Sequence, residues 1–255
     1  MPRMKILAAI LLSLVTIAIP ASLADWQVDS RTPQAGPAGL AFERLEVSSG
    51  DKSAEIYAVT FSPKTHTFAV MDNPAGAFDT ESAAMKRGAA AAVNGGYFQP
   101  DNTPLGLVVR QGVQIHPMEH SRLLSGIVVV SGSRIALQRV GEFKPSPAIR
   151  EALQAGPFLV DRGAAVPGLE ATRNAARTVA FTDASGHFGV LVARNTTLAD
   201  MAAILSTPGL LAGGKITRAL NLDGGSSSAL WVRGNPAFYS KEWKTVRTYL
   251  AIIAR

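Results

Sequence analysis

Apolar and polar residues alternate in short runs along most of this 255-residue chain, with turn residues between the runs. Ala41–Val47, Ala54–Phe61 and Thr67–Met71 read as strands. So do Leu105–Arg110 and Val113–His116 on either side of Gln111-Gly112. Ile127–Val130 and Arg134–Val140 flank Ser131-Gly132-Ser133 in the same way. In the second half Ala155–Val160, Thr178–Thr182, Phe188–Ala193, Arg218–Leu222 and Val246–Ile253 repeat the style. Two stretches carry helix signals instead. Residues 79–88 offer Asp79 or Thr80 as a cap, Glu81 in the first turn, and Gly88 after Lys86 and Arg87. Thr197–Thr207 has Thr197 as cap with Asp200 three residues on, then Leu198, Met201, Ala202 and Leu205 on one face. The pattern predicts a single α+β domain over residues 41–255, with a largely antiparallel or mixed sheet and a few helices. Residues 25–40 carry Pro, Gly and Ser without periodicity and read as a lead-in segment.

The first 24 residues follow another pattern. Arg3 and Lys5 precede an apolar run from Ile6 to Ile19, Pro20 ends it, and Ser22-Leu23-Ala24 supplies a small-x-small site. This is the order of a cleavable secretory signal, so a periplasmic or secreted protein beginning at Asp25 is expected. The run is shorter than the ~20 residues that span a bilayer, and no later run is longer, so no transmembrane segment is expected after signal removal. The signal holds two of the 25 basic residues and none of the 19 acidic ones, which leaves a mildly basic remainder. Without a Lys/Arg run, nucleic acid is not an expected partner. The absence of Cys removes disulfides, thiolate catalysis and cysteine metal sites.

Two segments place a polar residue and paired glycines where a strand ends. In Ala92-Val93-Asn94-Gly95-Gly96-Tyr97-Phe98, Asn94 is the first side chain able to hydrogen-bond, and the glycines admit a close backbone or ligand. Tyr97 and Phe98 offer a platform for a sugar ring. Alone, Asn-Gly is more often a turn. In Leu222-Asp223-Gly224-Gly225-Ser226-Ser227-Ser228, the amides can form an anion nest and Asp223 can act as nucleophile, base or ligand. The bland alternative is a tight turn capped by Asp223. Arg177 precedes a buried-looking strand, and its planar fork suits a phosphate if it turns to the same place. The four histidines lack metal-ligand spacing, so no metal is expected, and no cofactor is expected either. Ser226–Ser228 lack a nucleophile elbow, which disfavours a serine hydrolase triad.

In this order, Val93–Phe98, Thr103–Leu107, Gln154–Val160, Arg177–Ala180 and Leu222–Ser227 resemble the phosphodiester glycosidase family over roughly residues 41–254. The resemblance implies cleavage of a glycosyl-phosphate diester. It implies that Asn94, Gly95, Gly96, Arg177, Asp223, Gly224 and Gly225 line the site. Asp223, Asn94 and Arg177 are expected to be catalytic, and Gly95, Gly96, Tyr97, Gly156, Gly224, Gly225 and Ser226 to bind substrate. Ser226 stands where the family often has a third glycine. The expected partner is a carbohydrate or glycosyl phosphate in an envelope or extracellular glycan. Asp101, Glu119 and Asp183 are second-carboxylate candidates by chain position only. A non-catalytic glycan or peptidoglycan binder is the alternative. A metal-dependent phosphodiesterase is disfavoured by the lack of paired acids and histidines.

Overall fold

The computed structural model describes residues 26–255, so the expected signal peptide lies outside the described residues. Three sheets organise them. The largest runs, in spatial order, Gln27–Pro33, Leu40–Ser49, Lys52–Phe61, Phe188–Thr196, Ala175–Asp183, Ile216–Asn221, Phe158–Asp161 and Ala164–Ala165. The second runs Val113–His116, Val108–Arg110, Ile149–Ala155, Gly126–Ser131 and Arg134–Arg139. The third runs Phe238–Ser240, Leu230–Val232, Ala91–Asn94, Thr248–Ala254 and His66–Asp72. Every strand pairing among the described residues is antiparallel.

The large sheet is buried on both faces, and the alternation along its strands shows how. Val190 and Val192 join a core shared with Phe68, Val93, Leu153 and Leu250 of the smaller sheets. Leu191 and Ala193 turn the other way, against Met201, Ile204 and Leu205 of the helix Leu198–Ser206. The helix Thr80–Arg87 packs Ala83 and Ala84 on the third sheet beside Trp231 and Tyr249. Both helices start as their sequences predict. Asp79 accepts from Ser82 N at 2.9 Å, and Thr197 Oγ1 accepts from Asp200 N at 3.0 Å.

Three expectations change. The fold is sheet-dominated, with two short α-helices among the described residues, so the largely antiparallel sheet holds while the α+β class gives way to a more β one. The physical reason lies partly in connection length: seven of the fifteen strand pairings among the described residues are hairpins between consecutive strands, and parallel crossovers need a dozen residues or more. The lead-in segment, read without periodicity, supplies an edge strand: Gln27–Pro33 pairs with Leu40–Ser49. Ala155–Val160 is not one strand. It breaks at Gly156-Pro157, so that Ile149–Ala155 belongs to the second sheet and Phe158–Asp161 to the first. A Cβ on Gly156 would run into the Leu123 carbonyl, and Pro157 has no N–H to give a ladder.

Candidate active site

All three sheets meet at one point, and the glycines explain how. Gly95 follows the strand Ala91–Asn94. Its N–H donates to Thr248 O at 2.7 Å, and its carbonyl accepts from Asp223 N at 3.0 Å. Asp223 lies just beyond Ile216–Asn221 of the large sheet, where Leu222 N still donates to Thr178 O at 2.8 Å. A Cβ on Gly95 would sit 2.7 Å from Thr248 O, and one on Gly96 2.7 Å from Gln154 O in the second sheet. Side chains at these positions would push the sheets apart.

Asn94 is wholly buried at this junction. Its Nδ2 donates to Asp223 O at 2.7 Å, while its Oδ1 accepts from Thr178 Oγ1 at 2.7 Å and Ala229 N at 3.1 Å. Tyr97 donates through its hydroxyl to Gly156 O at 2.7 Å, and Asn221 Nδ2 donates to that hydroxyl at 3.0 Å. Burial first, and then the nearby Asp223 charge, push the Tyr97 pKa up, so the phenol stays protonated.

In front of this scaffold opens a cleft of about 400 Å3, walled by Tyr97, Phe98 and Leu105 on one side and by Asp223, Gly224, Gly225, Ser226 and Ser227 on the other. The 97–105 wall is a closed loop, with Leu105 N donating to Tyr97 O at 2.8 Å and Gln99 N to Thr103 O at 2.8 Å. Gly225 adopts a φ of +63°, which only glycine takes readily, and Gly224 packs so tightly that a Cβ would lie 2.9 Å from Ala176 O. Among the described residues, Asp223 is the only carboxylate lining the cleft. Burial raises its pKa, and the Ser227 hydroxyl, the Gly224 amide and the Lys244 charge oppose that rise. The Gly224 N–H donates to Asp223 Oδ1 at 2.8 Å. Two cations, Arg173 and Lys244, line the same cleft.

The residues expected at the site thus divide into two layers. Asp223, Tyr97, Gly224, Gly225 and Ser226 reach the cleft. Asn94, Gly95, Gly96 and Gly156 are buried behind it. Arg177 is buried too: Nε donates to Thr196 O at 2.9 Å and Nη2 to Arg173 O at 2.6 Å. It holds the loop that carries Arg173 rather than presenting its whole fork to the cleft. Asp101, Glu119 and Asp183 do not line the cleft, and Asp183 instead binds the Ser185 and His187 amides at 2.9 Å. Arg173 and Lys244 escape sequence reasoning because each sits in a polar loop outside the recognisable blocks. Gln154 carried a signal in the Gln-Ala-Gly-Pro block, and its Oε1 accepts from Leu107 N and Glu119 N to tie the second sheet's loops together. Among the described residues no cluster of three or more His, Asp or Glu side chains is placed to hold a metal, and no helix is long and apolar enough to cross a membrane.

The fold has solved counterparts. A hypothetical protein from Synechocystis superposes with a TM-score of 0.60 at 16% identity, covering 85% of this chain, which spans 62% of that longer one. The catalytic domain of zebrafish N-acetylglucosamine-1-phosphodiester alpha-N-acetylglucosaminidase, auto-inhibited by its pro-peptide, superposes with a TM-score of 0.66 at 14% identity, covering 91% of this chain and 89% of that one. No curated protein matches by sequence. The family model for phosphodiester glycosidases matches residues 87–253, which hold Asn94, Arg177, Asp223 and every wall of the cleft. On that match, with the fold in agreement, the chain belongs to the phosphodiester glycosidase family.

Proposed function

We propose that the protein is an exported hydrolase that cleaves the bond between an anomeric carbon and a phosphodiester oxygen in an envelope or extracellular glycan. The observation that carries this reading is the pairing, in one cleft, of a lone carboxylate with two cations. The bond that breaks is C1–O, and its electron pair leaves on the phosphate oxygen. Water supplies the new C1–OH, so the products are a free reducing sugar and a phosphate monoester. Phosphate is a good leaving group, so a second carboxylic acid is not required to protonate it. Cations placed where the charge collects suffice, and Arg173 and Lys244 are so placed. Asp223 then acts through its negative charge, at C1 or beside an oxocarbenium-like C1. Tyr97 stays protonated and holds the floor of the site through Gly156. Membership of the family and the catalytic-domain fold of the zebrafish glycosidase support the same chemistry.

The test is incubation of the purified protein with a panel of methyl hexosyl-1-phosphates, scored for free reducing sugar. Release of sugar with methyl phosphate supports the reading, and intact substrate across the panel overturns it. Export is supported by the pattern of residues 1–24 and predicts an N-terminus at Asp25 in the periplasm or medium. Recovery of a membrane-bound chain still starting at Met1 would refute it.

A further inference from the structure

A groove of about 350 Å3 lies against the cleft. Leu123, Pro157, Val166, Leu169 and Leu198 line it, together with the wholly buried Phe158. Leu123 is 46% exposed, one of the few large apolar side chains that the described residues leave open to water. Single exposed aliphatics are ordinary on a surface, but five around one hollow are not. The groove and the cleft share a wall. Tyr97 of the cleft donates to Gly156 O at 2.7 Å, and Pro157, the next residue, lines the groove. Arg173 lines the cleft and Glu170 lines the groove, and Arg173 N donates to Glu170 Oε1 at 2.7 Å. One hydrogen bond thus links a residue of the cleft to a residue of the groove, and Arg173 stands at the boundary.

The chemistry changes across that boundary. The cleft offers a carboxylate, hydroxyls and the rings of Tyr97 and Phe98. The groove offers aliphatic side chains. Its one aromatic ring, Phe158, lies under the Arg139 guanidinium at 4.6 Å and has no exposed face for a sugar. Its polar groups are already engaged: Glu170 Oε1 also accepts from Thr172 Oγ1 at 2.6 Å, Arg139 Nε donates to Asp161 Oδ2 at 3.0 Å, and Ser125 Oγ accepts from Phe158 N at 2.9 Å. Arg122 adds an exposed cation to the lining. We propose that the groove holds the aliphatic chain of a lipid alcohol, and that the substrate is a glycosyl phosphodiester of such an alcohol. This rests on the hydrolase reading given above and names its substrate class. The sugar occupies the cleft, the phosphate lies at Arg173 on the boundary, and the chain runs into the groove. An alkyl chain makes no hydrogen bonds, and each methylene that leaves water for Leu, Val and Pro side chains adds to binding. The C1–O bond breaks as before, water supplies the new C1–OH, and the lipid leaves as its phosphate monoester.

The experiment takes the hexose preferred in the methyl hexosyl-1-phosphate panel, or N-acetylglucosamine if none is cleaved, and compares the methyl and octyl diesters of its 1-phosphate below the concentration at which the octyl compound aggregates. The expected kcat/KM is about a hundredfold higher for the octyl diester, the scale of a few buried methylenes. Leu123→Ser with Leu169→Ser is expected to lower that ratio about tenfold, and Leu123→Ser alone, at an exposed position that the fold does not need, about threefold. Calorimetric titration with octyl phosphate, which has no glycosyl bond to break, reads the groove without turnover. Saturable binding with a negative heat-capacity change is expected for octyl phosphate and not for methyl phosphate. Equal kcat/KM for the two diesters overturns the groove and leaves the hydrolase reading in place. So does an octyl preference that both variants retain. Octyl phosphate binding that the variants lose, with neither diester cleaved, sinks the hydrolase reading and keeps the groove as an alkyl phosphate site. Variants that sediment as a smaller species with an unchanged ratio make the groove a contact between copies, and the proposal falls.

Discussion

The Asn94 side-chain amide donates to the Asp223 main-chain carbonyl at 2.7 Å, across 129 residues of sequence. Asn94 therefore works on the carboxylate through its backbone, as a positioning residue. Asn94→Ala would leave the Asp223 carbonyl, the Thr178 hydroxyl and the Ala229 amide without this partner in a dry interior. The expected loss of stability is about 3 kcal/mol, because an orphaned buried polar group costs its full desolvation. Chemical denaturation measures this. A loss below the scatter of surface substitutions would show that the network is dispensable.

Asp223→Asn should abolish turnover, with kcat falling on the order of a thousandfold, since Asn keeps the shape of the side chain and loses the charge. Stability should move the other way. Burial raises the folded-state pKa of Asp223, so the folded protein favours the proton. That contribution is fully present below the unfolded pKa and is lost as pH rises through the folded pKa. At neutral pH the ionised carboxylate therefore costs stability, and Asp223→Asn should melt no lower than wild type. The difference should vanish in acid. A variant that melts well below wild type at neutral pH would make Asp223 a structural cap.

Turnover should fall as pH drops through the Asp223 pKa, because the acting form is ionised. With that pKa raised, the acid limb of kcat/KM belongs above the ordinary carboxylate value of about 4. Lys244 opposes the rise, so Lys244→Ala should move the limb to still higher pH. A limb that stays in place, or moves down, separates Lys244 from the carboxylate.

Arg173→Ala and Lys244→Ala should each weaken cleavage of charged diesters about tenfold to a hundredfold, the range for removing one charge-stabilising contact. Arg177→Lys should do so indirectly. An ammonium cannot hold both Thr196 O and Arg173 O as the guanidinium does, so the Arg173 loop loosens. In the Arg173→Ala background Arg177→Lys should add little further loss. Full additivity would mean that Arg177 meets the phosphate itself.

Gly225→Ala should cost about 1 kcal/mol, because its φ of +63° disfavours a Cβ although nothing stands in the way of one. Gly96→Ala should cost more, since its Cβ would press on the Gln154 carbonyl at 2.7 Å. Thermal melts of the two variants, ranked in the opposite order, would refute this account of the junction.

Most strands and both helix caps were legible from local signals, although the strand expected from Leu105 begins only at Val108. The helix Thr80–Arg87 starts at Asp79 and is closed by Gly88 in the left-handed region, as its sequence suggests. The edge strand Gln27–Pro33 was not legible, because its partner Leu40–Ser49, not its own pattern, makes it a strand. Ala155–Val160 read as one strand, because the passage of the chain from one sheet to another at Gly156-Pro157 is a tertiary fact. The site divides in the same way. Asp223 and the Gly-Gly turn stood out because chemistry and conformation both demand those residue types. Arg173 and Lys244 did not, because any exposed loop can carry a cation and only the closed fold shows which ones face Asp223.

The crossing of Gly95 and Asp223, where three sheets touch, also bears on how the protein comes to life during folding. Hairpins such as Ala175–Asp183 with Phe188–Thr196 close between near neighbours in the chain. The Asn94–Asp223 contact closes only after most of the chain has been gathered, and such long-range contacts are slow to form. On refolding, the circular dichroism of strands should return before turnover does. A chain with every hairpin formed but its sheets undocked would hold all the catalytic residues and have no catalytic site.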